Sequence, residues 1–277
     1  MANPALPGDH PDPSIVRTSN GWYATSTSDD WLPAFPLLHS PDLVHWRQVG
    51  SVLGQRPRWA RNDFWAPELV LGGGGALVYY AALARDGQRC VAVASASRIQ
   101  GPYSDHGPLI CSRVGEIDPV PVTDEQGAHW LVWKRDGNSR GLPTPILAAP
   151  LAPGGMSLAA PPHELFQADA DWEHDNVEAP APVRHDGLFY LVYSAGHCCG
   201  RNCHYATGVA RSASLLGPWE KRREPILRGD GAIRCPGHAG ITRGPAGELE
   251  LAYHAYLRGD PSNRQLFLAP LRFDVEG

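Results

Sequence analysis

Three acidic residues stand at or one residue from a proline at widely separated places: Asp12 before Pro13, Asp118 before Pro119, and Glu178 in Glu178-Ala179-Pro180. Taken singly, an Asp before Pro is a turn or cap residue. Each of the three, however, opens a pattern that recurs five times: a polar or acidic residue beside Pro or Gly, and about ten residues later an apolar, aromatic-rich run. The runs are Trp22 to Thr25, Leu77 to Tyr80, Trp130 to Trp133, Tyr190 to Tyr193 and Leu249 to Tyr253; the second and fifth copies open on Ala66-Pro67-Glu68 and Gly237-His238-Ala239. Carboxylates brought together in one cavity repel and cost stability, so such a gathering points to proton transfer or metal binding.

A second element keeps step with the first, about thirty residues after it in each copy. It reads Ser40-Pro41-Asp42-Leu43, Ser95-Ala96-Ser97 leading to Gly101-Pro102-Tyr103, Ala148-Ala149-Pro150-Leu151, Ala210-Arg211-Ser212 leading to Gly217-Pro218-Trp219, and Leu268-Ala269-Pro270-Leu271. Two elements in register over five units of about 50 to 60 residues predict an all-β fold, a five-bladed β-propeller with four-stranded antiparallel blades around a central channel. The first element then belongs on or just before each innermost strand. Asp12, Asp118, Glu178 and His238 are accordingly expected at one end of the channel, at one phase of the repeat.

The bulk numbers agree. The 277 residues are nearly all used by five units, which predicts one domain over residues 1–277. The 27 Pro and 30 Gly are scattered between strand-like runs, as many turns require, and no long stretch carries helical apolar spacing. A formal charge of −5 without a Lys/Arg cluster gives no footprint for nucleic acid or an anionic membrane surface. No apolar run approaches the roughly 18 residues of a membrane span, and Met1-Ala2-Asn3-Pro4 lacks signal-peptide features. Localisation is left open between secretion or the periplasm, if a leader was removed, and the cytoplasm, and so is the oligomeric state. Among the six cysteines, Cys198, Cys199 and Cys203 are crowded between His197 and His204. They admit a zinc site, a disulfide from Cys203 to Cys198 or Cys199, or reduced thiols.

The string His10-Pro11-Asp12-Pro13-Ser14-Ile15, followed by Trp22 to Thr27 and His39 to Trp46, resembles the opening of glycoside hydrolase family 43. Phe64-Trp65-Ala66-Pro67, Trp133 to Asn138, Val177-Glu178-Ala179-Pro180 and Pro236-Gly237-His238 follow in the family's order, so the resemblance covers essentially the whole chain. It implies inverting hydrolysis of a glycosidic bond, with Asp12 as general base, Glu178 as general acid, and Asp118 orienting Glu178 and raising its pKa. Three acids suit inversion, which needs one carboxylate ionised and one protonated at the same pH on opposite faces of the sugar. The resemblance further implies arabinose- or xylose-containing oligosaccharide or polysaccharide substrates from plant cell walls. An α-L-arabinofuranosidase is expected first and a β-D-xylosidase or bifunctional enzyme second, because the chain ends after the fifth repeat without the further C-terminal β-sandwich of many family xylosidases.

No cofactor is expected to be required. Near His238 the resemblance implies a calcium or other ion held through water, or a sugar contact. Sugar-binding walls are expected from Trp65, with Trp31 and Phe35 capping the pocket and Lys134, Asn138 and His238 donating to hydroxyls. Trp22, Trp46, Trp130 and Trp219 are read as blade core. Gly72 to Gly75 reads as a hairpin turn, since no Lys-Ser or Lys-Thr follows to make a phosphate loop. Two further readings are a retaining fructoside hydrolase, whose Asn-Asp-Pro-Asn opening is missing here, and a non-catalytic sugar-binding propeller, for which loss of one acid would be natural.

Overall fold

The computed structural model describes residues 3–72 and 74–274, so Met1, Ala2, Gly73 and residues 275–277, including parts of the terminal readings above, lie outside the described residues. Its strands form five antiparallel sheets, each read outward from the channel. The first contains β1 (Ser14–Thr18), β2 (Gly21–Thr25), β3 (Ala34–Ser40) and β4 (Arg47–Leu53). The second contains β5 (Ala60–Gly72), β6 (Gly75–Ala84), β7 (Arg89–Ala96) and β8 (Ser104–Ser112), and the third β9 (Glu116–Thr123), β10 (His129–Arg135), β11 (Ile146–Pro150) and β12 (His163–Phe166). The fourth contains β13 (Val177–His185), β14 (Leu188–Ala195), β15 (Ala206–Ser212) and β16 (Glu220–Lys221), and the fifth β17 (Ile233–Arg243), β18 (Leu249–Leu257) and β19 (Asp260–Pro270). The helical elements among the described residues are two three-residue 3₁₀ turns, Asn138–Arg140 and Asp171–Glu173.

Inner strands of successive sheets are neighbours all the way round, β1 beside β5, β5 beside β9, β9 beside β13, β13 beside β17 and β17 beside β1. This is the five-bladed propeller expected from the repeat. The second strands read as unbroken apolar runs because each blade is covered on both faces, and strand side chains alternate between them. Tyr80 joins the core shared with the first blade, while Tyr79 joins the one shared with the third. Likewise Val132 packs toward the fourth blade and Leu131 and Trp133 toward the second. Trp22 is buried, and Trp46, Trp130 and Trp219 pack against blade cores, as expected.

The last blade departs from a simple repeat. Its outer edge is completed by the start of the chain: Leu6 bridges β19 at Leu266, Ala5 N donates to Leu266 O at 2.9 Å, and the Asn3 amide both donates to Leu268 O at 2.8 Å and accepts from Leu268 N at 3.0 Å. Such a pairing covers an edge that would otherwise be open, and it fixes the segment leading into Asp12. At the end of the β5–β6 ladder Gly72 stands opposite Gly75.

The cysteine expectations are corrected. Cys203 pairs with Cys235 of β17, Cys198 with its neighbour Cys199, and Cys90 with Cys111 across β7 and β8. With all six oxidised, none is a thiolate available for zinc. Cys235 was invisible as a partner because only the packing of the fourth blade on the fifth brings it to the β14–β15 loop.

Candidate active site

Within the inner strand, or just before it in the first blade, each blade has a residue with a left-handed backbone at the same place: Asp12 (φ 53°), Ala66 (46°), Asp118 (56°), Ala179 (51°) and His238 (49°). Pro follows in the first four and Ala239 in the last. The ladder registers of β5, β9, β13 and β17 slip across this step. A non-glycine residue held there costs on the order of 1–3 kcal/mol and persists only where the surroundings enforce it. A bulge of this kind re-aims side chains next to the break.

The five-fold φ pattern also corrects the phase of the acids. Asp12, Asp118 and His238 occupy equivalent positions, whereas Glu178 lies one residue earlier, level with Trp65, Ile117 and Gly237. The carboxylates therefore come from two adjacent positions of the repeat, which supports different environments for them. All three line one cavity of about 400 Å³ at the channel mouth, with lining from all five blades. Below it a smaller space of about 130 Å³ runs between Pro13, Pro67, Pro119 and Pro180, with Glu68 pushed up to about 7 by burial.

Asp12 is held by a basic and hydroxyl network. Thr27 Oγ1 donates to its Oδ2 at 2.6 Å, and Arg264 Nη1, His238 Nδ1 and His254 Nδ1 lie 3.3, 3.3 and 3.2 Å from Oδ1. Burial alone would raise this carboxyl, but Arg264, His238 and His254 bring it well below the ordinary carboxylate range. Burial takes the His254 imidazole the other way, down to about 4, so it is neutral near pH 7.

Glu178 faces a different partner. The fully buried Lys134 ammonium lies 2.6 Å from Glu178 Oε2 and 3.0 Å from Asp136 Oδ1, and the Asn176 amide donates to Glu178 Oε2 at 3.2 Å. Burial opposes ionisation of Glu178, and Lys134, helped by Tyr205 and Asn176, outweighs it and lowers the pKa. Asp118 accepts from the backbone N–H of Ala179 at 2.9 Å, which ties it to the residue next to Glu178. Burial first and the Glu178 charge after it push Asp118 up to about 6, with His238 and Lys134 opposing. The expected direction is thus reversed at this pair: the raised group is Asp118, because the ammonium sits on Glu178.

Of the expected sugar wall, Trp65, Lys134, Asn138 and His238 line the cavity. Trp65 donates from Nε1 to Asp29 Oδ1 at 2.8 Å, and the Arg89 guanidinium lies 3.9 Å from its ring centroid. Phe35 is corrected: it is fully buried in the core between the first two blades, edge-on to Phe64 at 6.0 Å and 5.1 Å from Tyr80. Trp31 is 80% exposed and is not among the residues lining the cavity. His238 Nδ1 is taken up by Asp12, and among the described residues no group of three or more His, Cys, Asp and Glu side chains could hold a metal ion. No step below runs through an ion there.

Sequence reasoning missed Arg264, His254, Asp29 and Tyr205. Arg264 and His254 sit on β19 and β18, away from the inner-strand phase that drew attention to the acids. Thr27 carried a signal, as the end of the Trp22 to Thr27 string.

The sequence profile described as Glycosyl hydrolases family 43 matches residues 1–277. The chain belongs to this family. It is 28% identical over 282 residues to the xylosidase/arabinosidase 43B of Humicola insolens, covering 95% of this chain and 50% of that protein. It is 26% identical to the extracellular exo-alpha-(1->5)-L-arabinofuranosidase ArbA of Cellvibrio japonicus (strain Ueda107), covering 96% of this chain and 84% of the relative. A solved thermostable family-43 glycoside hydrolase superposes with a TM-score of 0.89 at 27% identity, covering 99% of this chain and 94% of that one. The chain spans about half the length of the first curated relatives it matches.

Proposed function

We propose that this chain hydrolyses pentose glycosides of plant cell walls with inversion, foremost as an exo-acting α-L-arabinofuranosidase. The observation that carries the reading is the contrast within one cavity between Asp12, held well below the ordinary carboxylate range by Arg264 and two histidines, and Asp118, which burial and the neighbouring Glu178 charge push up to about 6. Inversion needs a base and an acid in opposite protonation states. Asp12 takes a proton from a water as its oxygen bonds to the anomeric carbon. The bond from that carbon to the leaving oxygen breaks with its electron pair going to oxygen, and Glu178 delivers its proton there. Asp118 supplies the negative neighbour that favours the protonated form of Glu178, against the pull of Lys134.

A cavity walled by all five blades suits a chain end better than an internal segment, which supports exo action. The arabinofuranoside preference draws on the likeness to the C. japonicus exo-acting enzyme. A second reading, a β-D-xylosidase or bifunctional enzyme, draws on the likeness to the xylosidase/arabinosidase of H. insolens. Hydrolysis of nitrophenyl α-L-arabinofuranoside and β-D-xyloside, with the product anomer followed by proton NMR, tests both. A retained anomer, or no turnover of either glycoside, refutes the reading.

A further inference from the structure

Cys198 and Cys199 are bonded to each other, and both line the cavity that holds Glu178. A disulfide between adjacent residues closes a small ring over one peptide bond, which stiffens the backbone and presents polarizable sulfur instead of two thiols. The loop bearing it is fastened on several sides. Cys203 is bonded to Cys235 of β17, Gly200 N donates to Tyr256 Oη at 3.2 Å, and His204 N donates to His197 O at 3.1 Å. Cys198 and Cys203 pack on the buried apolar group of Tyr205, Cys235 and Tyr256. Gly196, at the loop's start, donates to Glu173 O and Asn176 O, both at 3.1 Å.

The loop also has a defined side. It leaves the end of β14, where Ser194 stands opposite Glu178 in the ladder. Asp12 belongs to the first blade, with Asp29 and Trp65 on that side of the cavity. Base and acid flank the bond being broken, and the acid's side is the leaving group's.

We propose that the Cys198–Cys199 disulfide is the contact surface for the leaving-group sugar, a rigid platform on which the C–H face of that residue packs. This rests on Glu178 being the acid. A platform already fixed loses little freedom on binding, so its contribution appears in substrates that own a leaving-group sugar and vanishes in those that do not.

The test compares the wild-type chain with Cys198→Ser/Cys199→Ser on two substrates with the same glycon: an unactivated pentose disaccharide, and the corresponding glycosyl fluoride, whose leaving group is one atom. We expect kcat/KM on the disaccharide to fall about tenfold, and on the fluoride to stay within about twofold, as loss of a single packed contact predicts. The fluoride rate doubles as the measure of an intact fold and an intact base. Equal loss on both substrates, or unchanged rates on both, overturns the platform. A wild-type chain that turns over neither substrate refutes the proposed hydrolysis itself, and the platform with it.

Discussion

Replacing Lys134 by Met tests the least expected part of the site, the ammonium lodged against the acid. Lys134 is fully buried, 2.6 Å from Glu178 Oε2 and 3.0 Å from Asp136 Oδ1, and it is the main influence lowering the Glu178 pKa. An opposite charge this close lowers a carboxyl by about 1–3 pH units, so its removal should move the alkaline limb of the kcat/KM profile upward by about that amount. Stability changes in step. In the wild type Glu178 titrates below its unfolded value, so its charge stabilises the fold above that value and the benefit fades as pH falls through the folded one. In Lys134→Met, burial without the ammonium raises the folded pKa above the unfolded one, and stability is then lost as pH rises. At alkaline pH the variant carries an unpaired buried carboxylate, a cost of about 3–5 kcal/mol, and at acid pH the carboxyl is neutral and the cost shrinks. The assay is a pH series of initial rates beside thermal melts of both proteins. An alkaline limb that stays in place or moves down, or a melting difference that narrows toward alkaline pH, refutes the reasoning.

Asp12→Ala and Glu178→Ala should each lower kcat on an unactivated glycoside by about 10²–10⁴ with an unchanged circular dichroism spectrum; near-wild-type turnover by either removes its role. Asp118→Asn takes away the like charge beside Glu178, so the alkaline limb should move to lower pH, and an unchanged profile would dismiss the pairing. Arg264→Ala removes the chief positive influence on Asp12. The Asp12 pKa then rises and the acidic limb of kcat/KM should shift to higher pH, which a pH series reads directly. Phe35→Ala opens a cavity in the core between the first two blades and should cost about 3–5 kcal/mol in urea unfolding, with KM unchanged below the midpoint; a raised KM without destabilisation would return Phe35 to the sugar wall.

The architecture was legible from the sequence because the propeller is built by repetition. Asp12-Pro13, Ala66-Pro67, Asp118-Pro119 and Ala179-Pro180 mark the left-handed step of four blades, and the apolar second strands are continuous since each blade is buried on both faces. Local patterns of this kind are imposed strand by strand, so they survive in one dimension. The single-residue offset of Glu178 was hidden, since a bulge shifts register without changing composition. Phe35 looked like a pocket residue from its distance to the acids along the chain, but it packs with its neighbour Ala34 into the core between the first two blades, against Phe64 and Tyr80.

What the sequence determined by itself was the ring, the number of its blades and the identity of the three acids at its mouth. Only the tertiary structure decided their company: Arg264 and His254 beside Asp12, Lys134 against Glu178, Cys235 bonded to Cys203, and Asn3 closing the last blade. Each of these joins residues from different blades or from different strands of one blade. Their proximity arises from closure of the ring, and the charge on each acid follows from those neighbours more than from the residue types alone.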